Sequence, residues 1–209
     1  MNKKIINYET LIKITKAISH SRDPEEVMLM TVENIKNALD VKACALFLIN
    51  RKTNELEVAA SHGLSDRYLN KGPLSFLRSI TQTIKDGPIA IYDVTDDPRI
   101  QYPDEAKKEG IASILSVPIV IHDKHIGILR VYTSEPWEFT MEDVIFVQAL
   151  AQLAGIAIEM TKLYQGQKEA IDILKLMRDR KQVRTTRRTP YESVPISFTS
   201  VARPKRAVS

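Results

Sequence analysis

The period of apolar positions changes several times along the chain, and each change marks an element. Between Tyr8 and Ser19, Leu11, Ile12, Ile14, Thr15 and Ile18 fall at helical spacing while Lys13 and Lys16 are left for solvent, which predicts a first helix. A second helix is predicted over 24–39, because Asp23 can cap it, Pro24 suits its first position and Glu26 lies three residues after the cap. VKACALFLIN then has strand length, RKTN is a polar turn and ELEVAASH resumes alternation, so the three form a hairpin. GLSDRYLNKGP reads as a loop broken by Gly63, Gly72 and Pro73. PLSFLRSITQTIKDG places Leu74, Leu77, Ile80 and Ile84 on one side and stops at Gly87, which predicts a helix. PIAIYD is a third strand, Pro103 to Glu109 suits one or two helical turns, and ASILSVPIVIHD and HIGILRVYTS are strands joined around Asp123 and Lys124.

The last element is the longest. It starts at Thr140, with Asp143 placed to complement a helix start. Leu150, Leu153, Ala157, Met160, Tyr164, Gln167, Ile171 and Leu174 recur at alternating steps of three and four, a heptad-type seam that predicts a parallel helical homodimer. Val144, Ile145, Val147, Ala151, Ala154 and Ile158 are apolar as well. One side of this helix is therefore expected to cover a sheet and the other to meet a partner helix.

Composition narrows the classes. With 209 residues, of which 44% are apolar, the chain suits one domain with extensions. No continuous apolar run approaches the roughly 20 residues that cross a bilayer, and MNKKIINYETL lacks the features of a signal peptide, which points to a cytoplasmic protein. The lone Cys44 excludes an internal disulfide and a multi-cysteine metal site. Nine of the 30 Lys and Arg fall within 178–209, against two acidic residues there, so the net charge of +4 comes from a basic tail. That tail, rich in Thr, Ser, Pro and Arg, reads by composition as disordered; it has no aromatic interleaving or recognisable nucleic-acid motif, and no clear membrane signal beyond its charge.

ACALFLINRKTNELEVAASHGL, IYDVTDDPRI, GIASILSVPI, GILRVYTSEP and FTMEDVIFVQALAQLAGIAIE, taken together, resemble a GAF domain. The resemblance implies an α+β fold: a single GAF-like domain whose antiparallel five- or six-stranded sheet carries two N-terminal helices and a long C-terminal helix on one face. A pocket under loops and short helices lies on the other. The divisions that follow are an N-terminal helix at 1–22, the domain at 23–164, a helical extension at 165–180 and the basic tail at 181–209.

Period-two geometry puts Ala43, Ala45 and Phe47 on one face of their strand and Cys44, Leu46 and Leu48 on the other. By likeness to the family, Ala45 and Phe47 face the pocket, joined by Ser61, His62, Phe76, Ile80, Asp93, Ser113, Leu115 and Arg130 as candidate ligand-binding residues. For each apolar member ordinary core packing is the competing role. Arg130, between Leu129 and Val131 in a central strand, requires a bound anion, a nearby carboxylate or a route to solvent. Asp93 can accept bonds from a ligand or fix the DVTDDP turns.

Function follows from the same resemblance. The cyclic-nucleotide branch of the family carries a dispersed Asn, Lys, Phe, Asp, Glu signature, and the matching positions here, Asp93, Ala112, Phe139, Asp143 and Val144, agree at only two. The free methionine sulfoxide reductase branch needs an attacking and a resolving cysteine, and this chain has one. The bilin-binding branch attaches pigment through a cysteine beyond the third strand, where this chain has none. The expected role is a non-catalytic small-molecule sensing and dimerisation module in signalling, with ligand and cofactor unknown and a separate signalling protein as a further partner. The alternative is a constitutive scaffold whose pocket is filled by Phe47, Phe76 and Leu115.

Overall fold

The computed structural model describes Glu9 and residues 11–13, 15–16, 23–50, 52–53, 55–72 and 87–185, with side chains to 178. Residues 73–86 of the helix predicted over 73–87, and with them Phe76 and Ile80, lie outside the described residues, as do 186–209 of the tail. The elements are α1 (Pro24–Leu39), β1 (Ala43–Ile49), β2 (Leu56–His62), α2 (Asp66–Leu69), β3 (Ile89–Ile91), α3 (Pro103–Lys108), β4 (Ser113–Ile121), β5 (Lys124–Thr133) and α4 (Met141–Thr185). The described residues between Glu9 and Lys16 are helical too.

Local chemistry explains the boundaries. The Asp23 carboxylate accepts a hydrogen bond from the Glu25 amide at 3.0 Å and Pro24 opens α1, which ends where Asp40 turns left-handed at φ 49°. At the start of α4, the Thr140 amide donates to Asp143 Oδ2 at 2.9 Å while Thr140 Oγ1 accepts from the Asp143 amide at 3.2 Å. This reciprocal pair satisfies two backbone groups that a bare helix end would leave open. The β4–β5 hairpin pairs Ile121 with Lys124, so its two turn residues are His122 and Asp123, one position earlier than expected. Both are left-handed, at φ 47° and 58°, the conformation whose twist suits a two-residue hairpin.

The five strands are ordered β2-β1-β5-β4-β3, and every pairing is antiparallel. Two apolar layers result. Cys44, Leu46, Val117, Leu129 and Val131 pack with Val32 and Ile35 of α1 and Leu150, Ala154 and Ile158 of α4. On the opposite face Ala45, Phe47, Ile114, Ile128 and Tyr132 pack with Tyr68, Val94 and Ala106 from the connecting segments. The α+β architecture expected from the sequence is therefore present, with five strands.

The chain divides into two compact units, 1–165 and 166–209. In the first, α4 covers the sheet; in the second, every described side chain is exposed. Among the described residues, α4 is long and apolar enough to cross a membrane by length and composition, although its apolar residues are interrupted by polar ones. Half of its most apolar window lies inside the domain, as in a core helix.

Gly127 lies at the centre of the sheet, opposite Leu48 and Ile119. A Cβ there would stand 2.1 Å from the Phe47 carbonyl oxygen, so β1 and β5 tolerate no side chain at this point. Gly127→Ala is expected to lower unfolding free energy by about 2 kcal/mol, as overpacking a tight interior does; chemical denaturation followed by circular dichroism measures it.

Candidate functional site

On the sheet face away from α1 and α4, two adjoining cavities share Tyr68 and Lys71 as a common wall. The smaller, of about 20 Å³, is bounded by Ile89, Ile91, Ile114, Ser116 and Arg130 from the sheet and by residues 99–102 of the preceding loop. The larger, of about 150 Å³, is enclosed by Phe47, Leu56, Val58 and Tyr132 with Leu64, Leu69 and Gly72. Its composition is apolar apart from the shared wall and the Tyr132 hydroxyl.

The wall is built by a single helical turn. Ser65 caps α2 by accepting from the Tyr68 amide at 3.2 Å, and Ser65 is itself held by Glu109, whose Oε1 accepts from the Ser65 amide at 2.7 Å. Burial pushes the Glu109 carboxyl up, but the hydrogen bonds from Ser65 and the charges of Lys42 and Arg67 more than offset it and leave it below the ordinary carboxylate range. With α2 anchored, the Lys71 ammonium donates to the Tyr68 carbonyl at 2.9 Å and sits 3.6 Å from the centre of the Tyr68 ring. Gly72 follows at φ 134°, where a Cβ would come within 2.7 Å of the Tyr102 hydroxyl. The Tyr68 ring meets that of Tyr132 edge to face, at 6.2 Å between centroids.

Arg130 is only 8% exposed, and its guanidinium carbon lies 5.6 Å from the centre of the Phe47 ring. It also hydrogen-bonds to the Tyr132 side chain. Burial raises the Tyr132 phenol, an effect that the Arg130 charge opposes. Lys71 is pushed down to about 8, first by burial and then by the Arg130 charge, with Glu109 acting in the opposite sense. Arg99, also on the wall, has its charge answered: Asp97 takes an ion pair and hydrogen bonds from its guanidinium.

Ala45, Phe47 and Arg130 fall on the chamber face, the side that the family likeness implied for them. Ser61 pairs with Ala45 on that face but borders neither cavity. Three assignments are corrected. Leu115 belongs to the helix-side core, because β4 buries Leu115, Val117 and Ile119 toward the helices and turns Ile114 and Ser116 to the chamber. Ser113 shares the Leu115 parity, and its hydroxyl is committed to the backbone, donating to the Tyr92 carbonyl and accepting from the Trp137 amide at 2.8 Å. His62 pairs with Cys44, which puts it on the helix-side face as well.

Asp93 takes the turn-fixing role: its Oδ1 accepts from the Thr95 amide at 2.8 Å and the Thr95 hydroxyl at 2.7 Å, bonds that lower its pKa. It borders neither cavity. Tyr68 and Lys71 were not anticipated, since SDRYLNK reads as loop. Ser65 followed by Asp66 is nevertheless a helix-start signal.

Other chemistry is sparse. Cys44 is buried between strands and helices, and burial pushes its thiol well above the ordinary range, disfavouring the nucleophilic thiolate. Among the described residues, no three His, Cys, Asp or Glu side chains gather as metal ligands. An open groove of about 480 Å³, bordered by Leu48, Lys124, His125, Ile158 and Lys162, lies where β1, β5 and α4 meet.

A sheet covered by helices on one face and enclosing a small chamber under connecting segments on the other defines a class of α+β module. The family model of the GAF domain matches residues 21–159, and the chain belongs to that family. Among solved structures, the chain is similar to the GAF domain from a phosphoenolpyruvate-protein phosphotransferase of Coxiella burnetii, at 23% identity and TM-score 0.67, covering 76% of this chain and 95% of that one. It is similar to free methionine-R-sulfoxide reductase from Neisseria meningitidis in complex with its substrate, at 19% identity and TM-score 0.64, over 75% and 90% of the two chains. It is also similar to a domain of a two-component sensor histidine kinase protein from Sinorhizobium meliloti, at 22% identity and TM-score 0.59, over 71% and 99%. No curated protein matches the chain in sequence.

Burial of Cys44 predicts that a thiol-specific reagent leaves the folded protein unmodified at neutral pH and titrates one thiol after denaturation. Rapid labelling of the native protein would contradict that protection.

Proposed function

We propose that this GAF domain is a non-catalytic sensing module, which binds a small molecule in the chamber over the sheet and works as a homodimer joined through α4. The observation that carries the reading is the paired cavity itself: an apolar space beside a wall that includes the buried Arg130 and the half-buried Lys71, the composition typical of a ligand site. The family's sensory character, seen in the histidine-kinase neighbour, points the same way. The reductase neighbour raises an enzymatic alternative, and the burial of the lone Cys44 argues against it. A cytoplasmic location and a separate output protein belong to the same reading.

A second reading, a constitutive scaffold, draws on the close packing of Phe47, Tyr68 and Tyr132 against the sheet. Thermal-shift screening against nucleotides, amino acids and small acids separates the two. Reproducible stabilisation supports sensing, and a flat response favours the scaffold.

The dimer seam differs in phase from the one anticipated. Leu150 is fully buried and Ala157 is 2% exposed within their own domain. Leu153, Ile156, Met160 and Leu163 fall at heptad steps within the first unit, and Leu174 and Met177 are apolar and exposed within the second. Tyr164 and Ile171 are exposed beside it. Met160, 65% exposed, is apolar surface that a partner helix would cover. Met160→Lys is expected to convert the dimer to a monomer in native mass spectrometry, and an unchanged mass removes the α4 dimer.

A further inference from the structure

We infer that the larger chamber captures a small apolar aldehyde as a reversible imine with Lys71, the hydrocarbon part of the aldehyde lying against Phe47, Leu56 and Leu69. The inference rests on the sensing role proposed above and specifies the ligand class as a neutral carbonyl compound. Three observations carry it. Lys71 is half-buried and borders a chamber of about 150 Å³ whose other walls are mostly aliphatic and aromatic. Among the described residues, no Asp or Glu side chain lines that chamber. The Lys71 nitrogen takes no carboxylate partner there; it donates to the Tyr68 carbonyl at 2.9 Å and lies 3.6 Å from the centre of the Tyr68 ring.

A lysine attacks a carbonyl carbon only as the free amine, and desolvation is what supplies that form near neutral pH. Burial, joined by the Arg130 charge and opposed by Glu109, pushes Lys71 down to about 8. At pH 7.5 about a quarter of it is then free amine, against roughly one part in a thousand for an ordinary lysine. The Tyr68 carbonyl accepts one N–H of that amine and leaves its lone pair uncommitted. The lone pair forms the bond from Nζ to the carbonyl carbon as the π pair of the C=O bond moves to oxygen. The two amine hydrogens then leave with that oxygen as one water, and a C=N bond remains. No oxidant or reductant enters, and returning water reverses the step. An apolar chamber favours the imine, because water is the other product. Size sets the remainder: about 150 Å³ is the volume at which apolar protein cavities bind benzene, so roughly six carbon atoms fit.

The pH dependence has a defined sign. Capture consumes the amine, so its rate rises by about tenfold per unit below pH 8 and levels above it, where an ordinary exposed lysine is still rising. The charges acting on Lys71 are constant across this window: Arg130 of β5 stays protonated, and Glu109 at the end of α3 is held below the ordinary carboxylate range. Burial raises the Tyr68 and Tyr132 phenols out of it. The Tyr102 ring faces the ammonium at 5.9 Å, and Arg99 on the adjoining wall is paired with Asp97.

The test is reductive trapping of the full chain with 3-methylbutanal and cyanoborohydride at several pH values between 6.5 and 9.5, the alkylated sites being located by tandem mass spectrometry. Cyanoborohydride supplies the hydride that fixes an imine as a secondary amine. At pH 7.5, Lys71 is expected to be alkylated at least about tenfold faster than the exposed Lys52 and Lys124, at a rate that levels above pH 8. 1-Pyrenecarbaldehyde, too bulky for the chamber, is expected to reach the exposed lysines and spare Lys71. In thermal-shift assays without reductant, 3-methylbutanal is expected to stabilise the protein more than 3-methylbutanol does, and Lys71→Arg, which keeps the charge, to remove that difference. Far-UV circular dichroism checks the folding of the variant; if it does not fold, the site map and pH profile of the unaltered chain decide. Alkylation of Lys71 no faster than that of the exposed lysines overturns the imine. Equal stabilisation by aldehyde and alcohol also overturns it while leaving sensing intact, and a flat response to both and to the wider thermal-shift screen overturns sensing as well.

Discussion

The alternation of side chains across β5 is the constraint on which both halves of the molecule depend. Leu129 and Val131 are committed to the helices, so Ile128, Arg130 and Tyr132 must point the other way. A one-residue slip would exchange the sets and drive the guanidinium of Arg130 into an apolar layer, at a cost no neighbouring contact could offset. β5 is hydrogen-bonded on both sides, to β1 and β4, so its register is fixed twice. The positions of Phe47 and Ser116 relative to Arg130 follow from that double pairing.

Around this centre, the chamber depends on segments with little regular structure. Tyr68 and Lys71 come from one helical turn and the residue pair after it, and that turn is held by a carboxylate contributed at the end of α3. The loop between β3 and α3 is shaped by Asp93 and Asp97, each accepting a hydrogen bond from the amide two residues on. Polar side chains thus set the backbone course of the roof, while the strands set its floor. Such a division is common in ligand-binding folds, where a rigid floor defines the geometry and short connections carry chemical variety.

Legibility in the sequence tracked the strength of local signals. The Asp23-Pro24 start, the polar RKTN turn and the Thr140–Asp143 pair located α1, the first hairpin and the start of α4. Ala45 and Phe47 fall on the expected face because alternation divides β1 into two faces and the family likeness chooses between them. β4 defeated the same logic at Leu115: ASILSVPIVI is apolar on nearly every residue, so its phase is invisible without its partner strands. Ser113 and His62 failed for a related reason, since their faces are set by register against Thr133 and Cys44. α4 is apolar on several sides, so the burial of Leu150 and Ala157 could not be told from partner contact until the sheet was in view. Tyr68 and Lys71 were hidden by the brevity of α2.

The irregularity between β1 and β2 has a consequence for how copies of this molecule meet. The register shifts between Leu46 and Phe47, so an extra residue in β2 bends the outermost strand on that side. At the other margin β3 is only three residues long. Bent or very short outer strands offer a poor template for continuous pairing between molecules. Edge-to-edge stacking of sheets, the common route from a β protein to an aggregate, is thereby discouraged at both margins.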